Sequence, residues 1–123
     1  MSDHEGIRHT MAQFSHFLDG RQFRQWADLF TEDGRFNELA GREAIFDMIS
    51  HAELASQPEL RRKHTIENLV IDVHADEAEV ASDLVMFDRI GDGPWTIRIG
   101  RYQDRMVRQA GRWLFAQRRL TWL

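Results

Sequence analysis

The chain has 123 residues, 42% hydrophobic and 29% charged, with a net charge of −4 and no cysteine. That is the balance of one globular domain with a real core, and it excludes disulfides, thiolate catalysis and cysteine-ligated zinc or iron–sulfur sites. The net acidity argues against nucleic acid and membranes as partners, although basic residues cluster at Arg61-Arg62-Lys63, from Arg98 to Arg112 and at Arg118-Arg119.

Ser2-x-x-Glu5 is a capping-box pattern that starts a helix at once. Ile7, Met11, Phe14 and Leu18 continue it at helical spacing, with Gly20 as its stop. Phe23, Trp26, Ala27 and Phe30 predict a second short helix ending in Glu32-Asp33-Gly34, and Arg35 to Leu39 a short strand. A third helix follows Gly41, with Ile45, Met48, Ile49 and Ala52 on one side. The second half reads as four strands, Thr65–Val73, Glu79–Asp88, Trp95–Arg108 and Arg112–Leu120, joined by short polar or glycine-containing turns. Three helices followed by a four-strand meander make one α+β domain spanning residues 1–123, with the helices on one face of a curved antiparallel sheet. No apolar run approaches the roughly 18 residues that span a bilayer, and no charged-then-apolar leader opens the chain. A cytoplasmic location is expected.

Three residues are candidates for the chemistry, each with a structural alternative: a solvated helix-end turn for Asp19, a hydrogen-bonded strand end at the rim for His64 and a structural ion pair for Arg118. Asp19 lies at the end of the first helix among Phe14, Phe17, Leu18 and Phe23, where a carboxylate can hold a histidine or act as a base. His64 opens the first long strand and is the side chain whose charge changes near neutral pH. Strict alternation puts it on one face with Ile66, Asn68 and Val70, so the Asn68 amide is a candidate substrate contact. In the last strand, alternation groups Arg118 with Leu114, Ala116, Leu120 and Trp122. An arginine in such company is either edge-exposed or buried with a partner, because a lone buried guanidinium is very costly. His4, His9 and His16 are spread along the first helix without an HExxH or similar motif, and no metal site is expected. Gly91-Asp92-Gly93 lacks the strand–loop–helix context of a phosphate site and is a turn. The aromatic residues are mostly core, and some could line a cavity for a flat ring.

In this order and spacing the chain resembles the SnoaL-like branch of the NTF2-like superfamily over nearly its whole length. The resemblance is carried by Phe17-Leu18-Asp19-Gly20-Arg21-Gln22-Phe23, by Trp26-Ala27-Asp28-Leu29-Phe30-Thr31-Glu32-Asp33-Gly34 and by Gly41-Arg42-Glu43-Ala44-Ile45. It continues in Lys63-His64-Thr65-Ile66-Glu67-Asn68, Gly100-Arg101-Tyr102-Gln103-Asp104-Arg105, Gly111-Arg112-Trp113-Leu114-Phe115 and Arg118. It implies a cone-shaped, cystatin-like fold in which the sheet curls around an apolar cavity. It also implies kinship with polyketide cyclases, dehydratases, ketosteroid isomerase relatives and a dehydrochlorinase. In the dehydratase and dehydrochlorinase subgroup an Asp–His dyad abstracts a proton and an arginine of the last strand assists; Asp19, His64 and Arg118 match those positions. Phe14 stands where some of these enzymes carry a tyrosine or lysine that helps the leaving group.

The resulting expectation is a cofactor-free lyase or isomerase acting on a small apolar, cyclic molecule. Phe14, Phe17, Trp26 and Asn68 would contact that molecule, and a homodimer would form through the sheet. The alternative is a non-catalytic binding or assembly module, such as the small subunits of ring-hydroxylating dioxygenases.

Overall fold

The computed structural model describes residues 1–123. Helix α1 runs from Asp3 to Asp19. Ser2 caps it by accepting the Glu5 backbone N–H at 3.1 Å, and Ile7, Met11, Phe14 and Leu18 form its buried stripe. The helix is fixed to the sheet by Thr10, whose buried hydroxyl donates to the Trp113 carbonyl at 2.7 Å. Gly6 lies against the Trp113 ring so closely that a Cβ there would come within 2.9 Å of Trp113 Cδ1.

The second helix, α2, covers only Phe23–Ala27. Phe30, expected to extend it, instead opens strand β1 (Phe30–Phe36). Parallel pairing of Phe30 with Phe115 claims that segment for the sheet, so tertiary hydrogen bonding outweighs the helical spacing. A tight turn at Asn37, with φ of 51°, folds β1 back onto β2 (Leu39–Ala40). Helix α3 spans Arg42–Ile49, and a four-residue helix, α4 (Glu53–Ser56), makes a fourth where three were expected.

The long strands are β3 (Leu60–His74), β4 (Glu77–Ile90), β5 (Thr96–Gln109) and β6 (Arg112–Trp122). They form the expected antiparallel meander, but β1 and β2 extend it to six strands in the order β2-β1-β6-β5-β4-β3, with β1 parallel to β6.

Two bulges decide which side chains face inward. In β3 the register slips between Glu67 and Val70, where Asn68 takes a left-handed φ of 54°. His64 and Ile66 face the helices before the slip, and Leu69, Ile71 and Val73 after it. Val70 is turned out to 63% exposure. In β6 the slip falls between the Phe115 and Gln117 pairings, so Arg118 shares the inner face with Trp113 and Phe115 rather than with Leu114 and Ala116. The outer face carries an apolar area of Phe87, Trp95 and Ile97 beside Lys63. No helix is long and apolar enough to cross a membrane.

Candidate active site

Asp19 is the last residue of α1 and His64 the fifth of β3, and the packing of that helix on that strand brings them together. His64 Nδ1 lies 2.5 Å from Asp19 Oδ1, and the His64 backbone N–H donates to Asp19 Oδ2 at 3.0 Å. One carboxylate therefore fixes both the ring and the backbone of the same residue. A carboxylate only accepts, so the contact favours the tautomer with the proton on Nδ1 and leaves the Nε2 lone pair free. Nε2 has no hydrogen-bond partner in the protein. The His64 side chain is 6% exposed and that of Asp19 21%, which shields the pair without sealing it.

His64 forms one wall of a cleft of about 320 Å³ between α1 and β3. Ile66 and Leu69 continue that wall along β3, and Arg8, Met11, Ala12, Ser15 and His16 supply the opposite one. The α1 residues recur at helical spacing and lead on to Asp19, so one face of the helix carries both the cleft wall and the carboxylate of the dyad. That stripe was present in the sequence but hidden, because only its buried neighbour, the Ile7–Met11–Phe14–Leu18 stripe, stands out by hydrophobicity.

Arg118 lies deeper and is fully buried. Its guanidinium carbon is 3.4 Å from the centre of the Tyr102 ring, 4.2 Å from that of Phe14 and 4.5 Å from that of Phe115, a cage of cation–π contacts. Across the β5–β6 ladder Asp104 pairs with it, Oδ1 lying 3.1 Å from Nε. The separation is short, yet neither carboxylate oxygen nor that Nε finds hydrogen-bond geometry, so the attraction is charge on charge without a directed bond. Burial accordingly dominates: it pushes the Asp104 carboxyl up to about 6 against the opposing pull of Arg118. Burial also pushes the Tyr102 hydroxyl up to about 12, with Arg118 opposing and Asp104 and Asp19 adding to the rise.

Arg118 makes no hydrogen bond or ion pair with Asp19 or His64. Its Nη2 is 3.8 Å from the sulfur of Met11, a residue of the cleft wall. Sequence reasoning missed Tyr102 and Asp104 as neighbours of Arg118. Alternation in β5, with Gly100, Tyr102, Asp104 and Met106 all buried, held the signal.

Other expected contacts fall elsewhere. Phe14 and Trp26 are 1% exposed and pack on each other at 5.2 Å between ring centres, within a cluster that includes Phe30 and Phe36. Phe17 is half-buried against the same core. None of the three belongs to the wall of the cleft beside His64. Asn68 is exposed and donates to Asp83 at 2.8 Å, which with Arg101 holds the Asp83 carboxyl below the usual range. The β3 bulge, which strict alternation does not anticipate, removes it from the side of His64. No group of three or more histidine, aspartate or glutamate side chains is placed to hold a metal ion.

With this geometry in view, comparison with known proteins settles the kinship: the model of the SnoaL-like domain matches residues 1–119. The chain belongs to the SnoaL-like family. Among solved structures, this family member is similar to Rv3472 of Mycobacterium tuberculosis, a protein of unknown function, at 30% identity. That match covers 96% of this chain and 70% of the other, with a TM-score of 0.84. A Novosphingobium aromaticivorans protein provisionally named a scytalone dehydratase is 26% identical over 98% of this chain and 84% of its own, with a TM-score of 0.86. An NTF2-like protein with a cystatin-like fold, also from Novosphingobium aromaticivorans, is 22% identical over 98% and 82% of the two chains, with a TM-score of 0.88. The last likeness gives the fold its name: four helices on a six-stranded, curved, NTF2-like sheet. No functionally curated protein matches.

Proposed function

We propose that this SnoaL-like protein is a cofactor-free lyase or isomerase in which His64 removes a proton from carbon in a small, cyclic, largely apolar substrate. The observation that carries the reading is the 2.5 Å contact between Asp19 and His64 Nδ1, with an unpartnered Nε2 on a residue of the cleft wall. Asp19 holds the ring and stabilises the imidazolium that forms as Nε2 takes the proton. Arg118 lies behind Met11, its guanidinium against the Tyr102 ring. From there the guanidinium charge favours the negative charge that develops on the substrate, through a water-poor interior where such attraction is strong. Departure of a leaving group, or return of the proton at another carbon, completes the reaction.

Deuterium uptake tests this. Cyclic ketones and hydroxyketones incubated with the protein in heavy water should gain deuterium next to the carbonyl. His64→Ala should slow that uptake by about 10²–10⁴-fold while the chain keeps its melting temperature. Equal uptake with wild type and His64→Ala would sink the proposal.

A second reading, a non-catalytic ligand-binding or assembly module, is favoured by one observation: Arg118 has no exposed surface and its cage of rings fills the deep end of the cone. Ring compounds that bind the cleft with no deuterium uptake in the wild type would support it.

A further inference from the structure

The cleft beside His64 has a graded wall. Asp19 places one end at His64, and each earlier residue of α1 lies about 1.5 Å further along the helix axis. Ser15 and His16 are thus within about one turn of the dyad, whereas Arg8 lies about 16 Å from Asp19 along the axis. Met11 and Ala12 fill the interval on the helix, with Ile66 and Leu69 opposite. The wall therefore runs polar, apolar, polar.

Its far end is cationic and unpaired. Arg8 is exposed and makes no ion pair or side-chain hydrogen bond, unlike Arg24, Arg62, Arg101 and Arg108, each of which holds a carboxylate. No aspartate or glutamate lines the cleft. At the near end, Ser15 is 8% exposed and its buried hydroxyl has no hydrogen-bond partner. An unsatisfied hydroxyl in the wall of a cleft is a donor that a ligand could use.

We infer that the cleft takes an elongated, ring-bearing molecule with an anionic oxygen at the end remote from the reacting carbon, and that Arg8 binds this oxygen. The geometry sets the size. Arg8 and Asp19 stand about 16 Å apart along the helix axis, so the molecule is elongated, with its rings against Met11, Ala12, Ile66 and Leu69. The oxygen belongs to a carboxylate or a phenolate; both accept the paired N–H groups of a guanidinium. The inference rests on the proposal that the cleft at His64 is the substrate site, and it adds Arg8 as a residue that selects the substrate without taking part in proton transfer.

Binding of naphthoate and of neutral naphthamide to the full chain, followed by calorimetric titration, tests the inference. Wild type should prefer naphthoate by about tenfold, the worth of one charge-assisted contact. Arg8→Gln should bring the two affinities together, and His64→Ala should keep the preference. The two-ring phenolate 2,4-dinitro-1-naphtholate, ionised at neutral pH, identifies the anion: binding as tight as naphthoate means any anionic oxygen serves, and clearly weaker binding means a carboxylate is required. Equal affinities in wild type, no binding of naphthoate, or a preference unchanged in Arg8→Gln overturns the inference. A preference lost in His64→Ala overturns it too, since the anion would then sit on the imidazole. The catalytic proposal fails separately, when His64→Ala retains deuterium uptake while the Arg8-dependent preference persists.

Discussion

At the residue scale, Asp19, Asp104 and Asp83 do different work because their surroundings differ. Asp19 is partly open and bound twice to His64, so its role is to orient a ring and anchor the start of β3. Asp83 is a surface acceptor for Asn68 and Arg101. Asp104 is enclosed with Arg118, and burial outweighs that attraction, so its carboxyl titrates near 6. Between the ordinary carboxylate range and that value, the folded chain holds a proton that the unfolded chain has released. Stability therefore falls as pH rises through the window. Asp104→Asn, which stays neutral throughout, should gain on wild type by about 2–3 kcal/mol between about pH 4 and pH 7. Urea denaturation of the two proteins at both pH values checks this, and a difference that moves in favour of wild type would mean that the Arg118 pairing outweighs burial.

At the element scale, the site depends on where β3 stops alternating. Asn68 in a left-handed conformation absorbs the extra residue, so that His64 and Ile66 before it, and Leu69 after it, all reach the helix side. A β-branched residue resists that φ and cannot donate to Asp83. Asn68→Val should cost about 2 kcal/mol of stability, whereas Asn68→Gly should recover most of the loss because glycine accepts the conformation. Thermal unfolding of the two variants measures the difference. Equal losses would mean that the Asp83 hydrogen bond, and not the backbone, holds the bulge.

The bulges also mark the limit of what could be read in the chain. The strands of the second half, their tight turns and the long first helix follow from alternation, turn residues and a capping box, all of which are local signals. The change of face at Asn68 and at Ala116 follows from pairing with β4 and β5, which no window of β3 or β6 contains. Phe30 was misread for the same reason, since its partner Phe115 is 85 residues away in sequence.

At the scale of the whole molecule, the helices and the sheet divide the labour. The aromatic cluster around Phe14, Trp26 and Phe30 fills the cone's interior and holds α1 in place, which is why Phe14 and Trp26, expected to touch substrate, lie in the core. A cleft lies instead along the seam between α1 and β3, where Asp19 and His64 meet. The dyad could be anticipated from the resemblance and the seam could not, because the seam combines an exposed helix face with a strand whose inner side changes halfway. The same seam joins the fold to the proposed chemistry, since the contact at its end is the contact that orients His64.

The tautomer of His64 tests that claim most directly. In ¹⁵N-labelled protein near pH 8, above the ordinary imidazole range, the account predicts the proton on Nδ1, an unprotonated Nε2, and a mixture of tautomers in Asp19→Leu. A His64 ring carrying its proton on Nε2 in the wild type, or a tautomer unchanged by Asp19→Leu, would contradict it.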